Sequence, residues 1–228
     1  MNLSLCITTY NRFELLKESY AQVIDDPRIS EIIIVDDCST EPGVKEKVNS
    51  LAGGKVKVYH QAQNRGMSRN KADAISYASN EWVIIFDSDN VIGPDYLDAI
   101  PVYLSSDTIY CPSFAKPEFD FRFHEGKIYD AKKAAREIKM DAFNVAMNCC
   151  NYLVHRNTYL ATYKYNPSQI ASDTIWHAYN HLKSGGSFYI VPHMHYYHRV
   201  HKGSGFLQGV DHNMRMQAEV RKMIMELK

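Results

Sequence analysis

The chain has 228 residues, 45% of them hydrophobic and 23% charged, with 26 Lys plus Arg set against 26 Asp plus Glu. That length and mixture suit a packed α/β globule and argue against a disordered chain or a membrane-spanning bundle. Balanced charge leaves no global field to recruit nucleic acid or an anionic membrane, so partners must be read from local sites.

Met1 to Ile7 enters a strand directly and lacks the basic start and long apolar core of a signal peptide, which implies a cytoplasmic protein; peripheral attachment to a membrane is left open. Strand Leu3 to Thr8 is followed by apolar positions Phe13, Leu16, Tyr20, Val23 and Ile24 at helical spacing, predicting a helix over 13–24. A second strand spans Glu31 to Val35, a helix about Gly43 to Leu51, and, after the Gly53-Gly54 break, a short strand Val56 to His60. Gly66 to Ala78 reads as a helix and Glu81 to Phe86 as a fourth strand. Strands alternating with helices predict a parallel sheet with right-handed crossovers.

Beyond Gly93-Pro94-Asp95 the rhythm changes. A helix over Asp95 to Leu104 leads into a strand Ile109 to Phe114, then a polar, aromatic stretch from Lys116 to Tyr129. The weaker alternation predicts a mixed sheet with acceptor-facing insertions rather than a separate domain. Five cysteines, Cys6, Cys38, Cys111, Cys149 and Cys150, show no Cys-x-x-Cys spacing and read as reduced thiols.

Two apolar runs end in acids: Ile32-Ile33-Ile34-Val35-Asp36-Asp37 and Trp82-Val83-Ile84-Ile85-Phe86-Asp87-Ser88-Asp89. Parallel sheets bind ligands in the crevice beyond the carboxyl ends of their strands, so both acidic groups point to one shared site. An acidic-x-acidic pair at such an edge supplies hard oxygens suited to Mg²⁺ or Mn²⁺, which can neutralise a diphosphate. The plainer alternative is a solvated turn in which Asp89 and Asn90 cap the next helix.

Four segments in order, Ile7-Thr8-Thr9-Tyr10-Asn11-Arg12, Ile34-Val35-Asp36-Asp37-Cys38-Ser39, Asn64-Arg65-Gly66-Met67-Ser68-Arg69-Asn70 and Ile85-Phe86-Asp87-Ser88-Asp89-Asn90, give the chain a family resemblance. It resembles the nucleotide-sugar glycosyltransferases of the GT-A fold, in particular the large family 2 group. The resemblance implies a Rossmann-like, three-layer α/β fold with a mostly parallel central sheet and a smaller mixed acceptor-side sheet. A single GT-A domain would cover 1–228, with a nucleotide-binding half at 1–95 and an acceptor-binding half at 96–228 that carries a C-terminal lid.

Residue by residue, the resemblance implies that Thr8 and Tyr10 line a uracil pocket and that Asp37 accepts from the pyrimidine N–H, favouring a UDP-sugar. Asp36 either meets the ribose or caps Ser39. Arg12, Asn64, Arg69, Asp87 and Ser88 would belong to the nucleotide site, although Arg69 reads equally as a solvated helix residue. Asp89 and Asp87 would hold Mn²⁺ or Mg²⁺, joined by one histidine from the run His193 to Gly205, with His198 favoured and His201 second. Arg199, His201 and Lys202 would form a lid over the diphosphate, its closure excluding water.

Within Ser172-Asp173-Thr174-Ile175-Trp176-His177, the resemblance makes Asp173 the general base of an inverting transfer, against the plainer role of capping its helix. Asn148, Cys149 and Trp176 would shape the donor-sugar or acceptor pocket, the acceptor being a saccharide or glycoconjugate hydroxyl. The chain lacks Gln-x-x-Arg-Trp, the processive-synthase signature, so one sugar per transfer is expected. The GT-A scaffold also hosts retaining enzymes, in which Asp173 would position the sugar. A sugar nucleotidyltransferase is the rival enzyme, but Thr8-Thr9-Tyr10-Asn11-Arg12 has no glycine-rich loop; a receiver-like module would be much shorter.

Overall fold

The computed structural model describes residues 1–138, 150–168, 173–201, 203–204 and 207–227. Among them nine strands form one sheet in the order β3-β2-β1-β4-β8-β5-β9-β7, with β6 paired to β5. The strands are β1 (Leu3–Thr9), β2 (Ile29–Asp36), β3 (Val56–His60), β4 (Trp82–Asp87), β5 (Thr108–Lys116), β6 (Phe119–Asp120), β7 (Ile128–Tyr129), β8 (Leu153–His155) and β9 (Ser187–Tyr197). Pairings β1–β2, β1–β4, β2–β3 and β5–β9 are parallel, whereas β4–β8, β5–β8, β5–β6 and β7–β9 are antiparallel.

The expected smaller acceptor-side sheet is therefore continuous with the central one. β8 runs antiparallel between β4 and β5 and joins them, pairing Val83 with Val154 on one side and Tyr110 with Leu153 on the other. An inserted strand satisfies the backbone groups of both neighbours, which two separate sheet edges would leave exposed.

The apolar runs of β1, β2 and β4 are unbroken because both of their faces are covered. Cys6, Ile33, Val35, Val83 and Ile85 face one core, with Ala72, Ala74 and Ile75 of α3 (Met67–Tyr77), Ile175 and Ala178 of α7 (Asp173–Lys183), and Val220 and Ile224 of α8 (Val210–Met225). Leu5, Ile7, Ile32, Ile34, Ile84 and Phe86 face the other core. There they meet Leu16 of α1 (Phe13–Ser19), Val44 and Val48 of α2 (Val44–Asn49), and Tyr96 and Leu97 of α4 (Pro94–Asp98). The remaining described α-helices are α5 (Ala131–Glu137) and α6 (Arg156–Thr162).

Two helices are shorter than their periodicity predicts. α1 stops at Ser19 because the Ser19 carbonyl accepts from Ile92 N–H at 2.9 Å and the Ser19 hydroxyl turns back to Leu16 O at 2.7 Å. α4 stops at Asp98, short of Pro101, whose ring cannot supply the N–H a helix needs. No described helix is long and apolar enough to cross a membrane.

Candidate active site

The carboxyl ends of β1, β2 and β4 lie side by side, with Thr8 in register between Val35 and Asp87. The two acids after β2 part company there. Asp36 is fully buried; it accepts from the Ser39 amide and hydroxyl and meets His60 Nδ1 at 3.0 Å, so it closes its own turn. Asp37 reaches across to the loop before α3 and accepts from Arg65 N–H at 2.7 Å and Gly66 N–H at 2.9 Å. Burial raises the Asp37 pKa, with those two amides pulling against it and Asp36 adding to the rise. Gly66 has φ +81°, a backbone conformation that costs glycine little and lets both amides converge on one carboxylate.

Around this clamp the remaining nucleotide-site candidates divide. Tyr10 is 39% exposed at the rim, its hydroxyl 3.3 Å from Thr40 Oγ1, and presents an open aromatic face. Asn64, exposed, accepts from Gly66 N–H at 3.1 Å. Arg69 stacks its guanidinium 3.7 Å from the centre of the Tyr165 ring, a cation–π contact that links α3 to the acceptor side.

At the end of β4, the acidic-x-acidic residues look three ways. Asp87 donates its backbone N–H to Asn151 Oδ1 at 2.7 Å and places Oδ1 3.2 Å from Lys71 Nζ. Ser88 is buried, and its hydroxyl has no partner among the described residues. Asp89 Oδ2 receives Arg12 Nη1 at 2.8 Å and lies 3.0 Å from His201 Nε2. Arg12 also donates through Nη2 to Gly203 O, so one arginine joins the strand edge to the C-terminal segment.

That segment brings His201, not His198, to the acids. His198 packs edge-on against Phe119, with ring centres 5.0 Å apart, and against Tyr196; its backbone N–H donates to Lys116 O at 2.7 Å. The alternation of β9 decides this: Tyr196 is buried in the sheet, and the chain leaves the strand at Tyr197, four residues before His201 reaches back. Arg199 donates to Glu18 of α1 at 2.5 Å and, through its backbone, to Asn90 Oδ1 at 3.2 Å. It thus straps the segment to the N-terminal half. Lys202 lies outside the described residues, as do Asn148 and Cys149.

Asp173 opens α7 and is buried, with Oδ2 3.2 Å from Lys71 Nζ. Lys71 therefore sits between the donor-edge acid Asp87 and Asp173. Burial works against its charge, but Asp173 and Asp87 outweigh it and hold the Lys71 pKa well above its usual value. Cys150, a reduced thiol, lies 3.2 Å from Thr174 Oγ1 beside this group, and burial pushes its pKa up. Trp176 donates from Nε1 to Lys164 O at 2.6 Å and stacks on Tyr179, which fixes its indole to the 164 loop.

Lys71 escaped the sequence reading although a signal existed. Lys71, Ala74, Ile75 and Ala78 recur at the spacing of a buried helical stripe. A lysine on such a stripe needs a carboxylate partner in the interior.

The chemistry of the donor set suits a divalent ion. The Asp89 carboxylate and the His201 imidazole lie 3.0 Å apart, with Asp87 two residues upstream. No group of three or more His, Cys, Asp or Glu is gathered as a metal cage among the described residues. Small hard cations in phosphate-transfer sites are held by one or two protein ligands and completed by substrate phosphates, so two ligands are compatible with the ion.

A mostly parallel sheet with acids at its carboxyl edge and a C-terminal segment folded back onto them defines the GT-A class of fold. Residues 4–164 match the family model for glycosyl transferase family 2, and the chain belongs to that family. Over 112 residues it is 30% identical to the abequosyltransferase RfbV of Salmonella typhimurium, covering 46% of this chain and 33% of that relative. The chain thus spans about a third of the length of the curated relative it matches.

Among solved structures, GalNAc-T7 with UDP, GalNAc and Mn²⁺ is similar over 97% of this chain and 48% of that one, with a TM-score of 0.70 at 16% identity. S. aureus TarS residues 1–349 with UDP-GlcNAc is similar over 96% of this chain and 66% of that one, with a TM-score of 0.68 at 16% identity. At these identities the likeness is one of fold.

Proposed function

We propose that this chain is a metal-dependent glycosyltransferase that moves one sugar from a UDP-sugar to a hydroxyl of a saccharide or glycoconjugate, with inversion. The two acids at the end of β4, Asp87 facing Asp173 through Lys71 and Asp89 meeting His201, carry this reading. GalNAc-T7 and TarS, similar in fold, are named with UDP or a UDP-sugar, and the first also with Mn²⁺.

Tyr10 offers its exposed face to the base, with Thr8 beside it on β1. Asp37, holding the Arg65-Gly66 turn, keeps a lone pair on each oxygen for a pyrimidine N–H. The orphan hydroxyl of Ser88 fits a role toward ribose or phosphate, because a buried polar group without a partner is costly until a ligand supplies one. Asp89 and His201 would hold Mn²⁺ or Mg²⁺, with Asp87 adjacent, and the ion supplies positive charge opposite the departing diphosphate.

Arg12, which here answers the charge of Asp89, is within reach of the same diphosphate. The segment bearing Arg199, His201 and Lys202 then covers the donor and excludes water. On the acceptor side, Lys71 engages Asp173 Oδ2, which leaves Oδ1 to take the proton from the attacking hydroxyl.

Thermal-shift titration with UDP, GDP, CDP and dTDP, each with Mn²⁺ and with EDTA, tests the donor assignment. A ligand of the folded state raises the midpoint by mass action, by about 2.7 kcal/mol of stability at a hundred times its Kd. The expected result is a shift with UDP that needs Mn²⁺ and disappears in Asp89→Ala; a flat response to every nucleotide would refute the donor site.

A further inference from the structure

Lys71 joins two acids from different parts of the chain. Its side chain is 8% exposed, and its Nζ stands 3.2 Å from Asp87 Oδ1 and 3.2 Å from Asp173 Oδ2. It projects from α3, whose Ala72, Ala74 and Ile75 are locked in the core against β1 and β2, so the nitrogen hangs from a rigid part of the donor half. Asp173 is the first residue of α7. The gap lined by Lys71, Asp87, Cys150, Tyr152, Tyr159, Asp173 and His177 has about 10 Å³ of room, on the order of a single water. Little solvent therefore lies between the ammonium and the two carboxylates.

We propose that Lys71 is a positioning residue, and that its ammonium, gripped by Asp87, fixes where the Asp173 carboxylate stands relative to the bound donor. The inference rests on the glycosyl-transfer reading above. Its physical basis is that Asp173 has to meet an acceptor hydroxyl in line with the anomeric carbon. An error of about 1 Å in such a group costs on the order of 100-fold in rate. A helix first turn has too few internal hydrogen bonds to hold a side chain that closely. An ion pair to a rigid helix does hold it. Without the ammonium, two carboxylates would be left beside a gap with room for about one water, and their repulsion would push the first turn of α7 away.

The full chain carrying Lys71→Met is compared with wild type and with Lys71→Arg, which keeps the charge and nearly the reach. Three quantities are measured: the Kd for UDP with Mn²⁺, the kcat and donor KM on whichever UDP-sugar the wild type consumes, and hydrogen exchange across Asp173–Lys183. Lys71→Met is expected to hold UDP within about 3-fold of wild type while kcat falls about 100-fold. Its exchange in the first turn of α7 is expected to run at least ~10-fold faster, with Lys71→Arg recovering a substantial part of both losses.

Wild-type kcat and wild-type exchange in Lys71→Met would overturn the proposal, as would a loss confined to donor KM. If Lys71→Met does not fold, Lys71→Gln takes its place under the same criteria, because it removes the charge and keeps a donor. A wild type that binds no UDP and consumes no UDP-sugar would refute the transferase reading, and the exchange comparison would still decide whether Lys71 holds Asp173.

Discussion

The two halves of this molecule are stabilised differently. In residues 1–95 the strands are buried on both faces by aliphatic side chains, and buried acids are held by charged or backbone partners, Glu31 by Lys57 and Asp37 by the Arg65 and Gly66 amides. In residues 96–228 three histidines, His124, His177 and His181, are buried. His177 lies in the core between Tyr152 and Thr162, His124 meets Tyr129 at 2.7 Å, and His181 lies within hydrogen-bonding distance of the carbonyls of Asp107 and Ser187. Aliphatic burial is indifferent to pH and to partner geometry, whereas a buried polar network depends on both. The N-terminal half is therefore the frame and the C-terminal half the part that can be tuned.

The sharpest way to break that division is at Asp173. Asp173→Asn is expected to lower kcat by roughly 10²–10⁴-fold, the usual worth of a general base, while UDP binding persists because the frame is untouched. An unchanged kcat would take Asp173 out of the chemistry. Next in size is the frame itself: Ile34→Ala, at a site with no exposure, should cost about 2–5 kcal/mol in denaturant unfolding. A cost well below this would show that the core relaxes around the cavity.

His201 and His198 provide an internal control. His201→Ala should weaken Mn²⁺-dependent UDP binding about tenfold in calorimetry, the scale on which changes near a metal act. His198→Ala, which removes packing on Phe119, should leave that affinity in place; the reverse pattern would return the ligand role to His198.

Acid separates the halves further. Burial, reinforced by nearby His181 and Lys71, lowers the His177 pKa to about 3 from an ordinary 6.5. The unfolded chain thus takes up a proton below pH 6.5 that the native ring refuses until about pH 3, and stability falls as pH drops through that window. Glu31, in the donor half, behaves otherwise. Burial opposes its charge, but Lys57, Ser4 and Ser79 more than offset this and hold it at about 2, so its contribution is complete above 4.5 and lost only toward pH 2. A melting-temperature profile should start to decline near pH 6.5, and His177→Gln should flatten its upper part; an unaltered profile would move the acid sensitivity elsewhere.

The smallest effect belongs to the strap. Arg199 pairs with an exposed Glu18, so Glu18→Gln should change stability by less than about 1 kcal/mol.

The sequence by itself determined the frame. Unbroken apolar runs could only be strands buried on both faces, and acids at their ends could only lie at the carboxyl edge of the sheet, because strand direction and burial are local properties of the chain. β3 appears at its predicted bounds, and β1, β2 and β4 within two residues of theirs.

Tertiary structure decided the pairings between distant segments. β8, three residues long, carries too little pattern to announce that it joins two parts of a sheet. Asp89 meets His201 across 112 positions of sequence, and the choice of His201 over His198 turned on where β9 ends. Lys71 reads as one more charge on a helix until α7 brings Asp173 to it. Side-chain type states what chemistry a residue can do, but the few ångströms that select its partner are set by the packing of whole elements, and no local pattern encodes them.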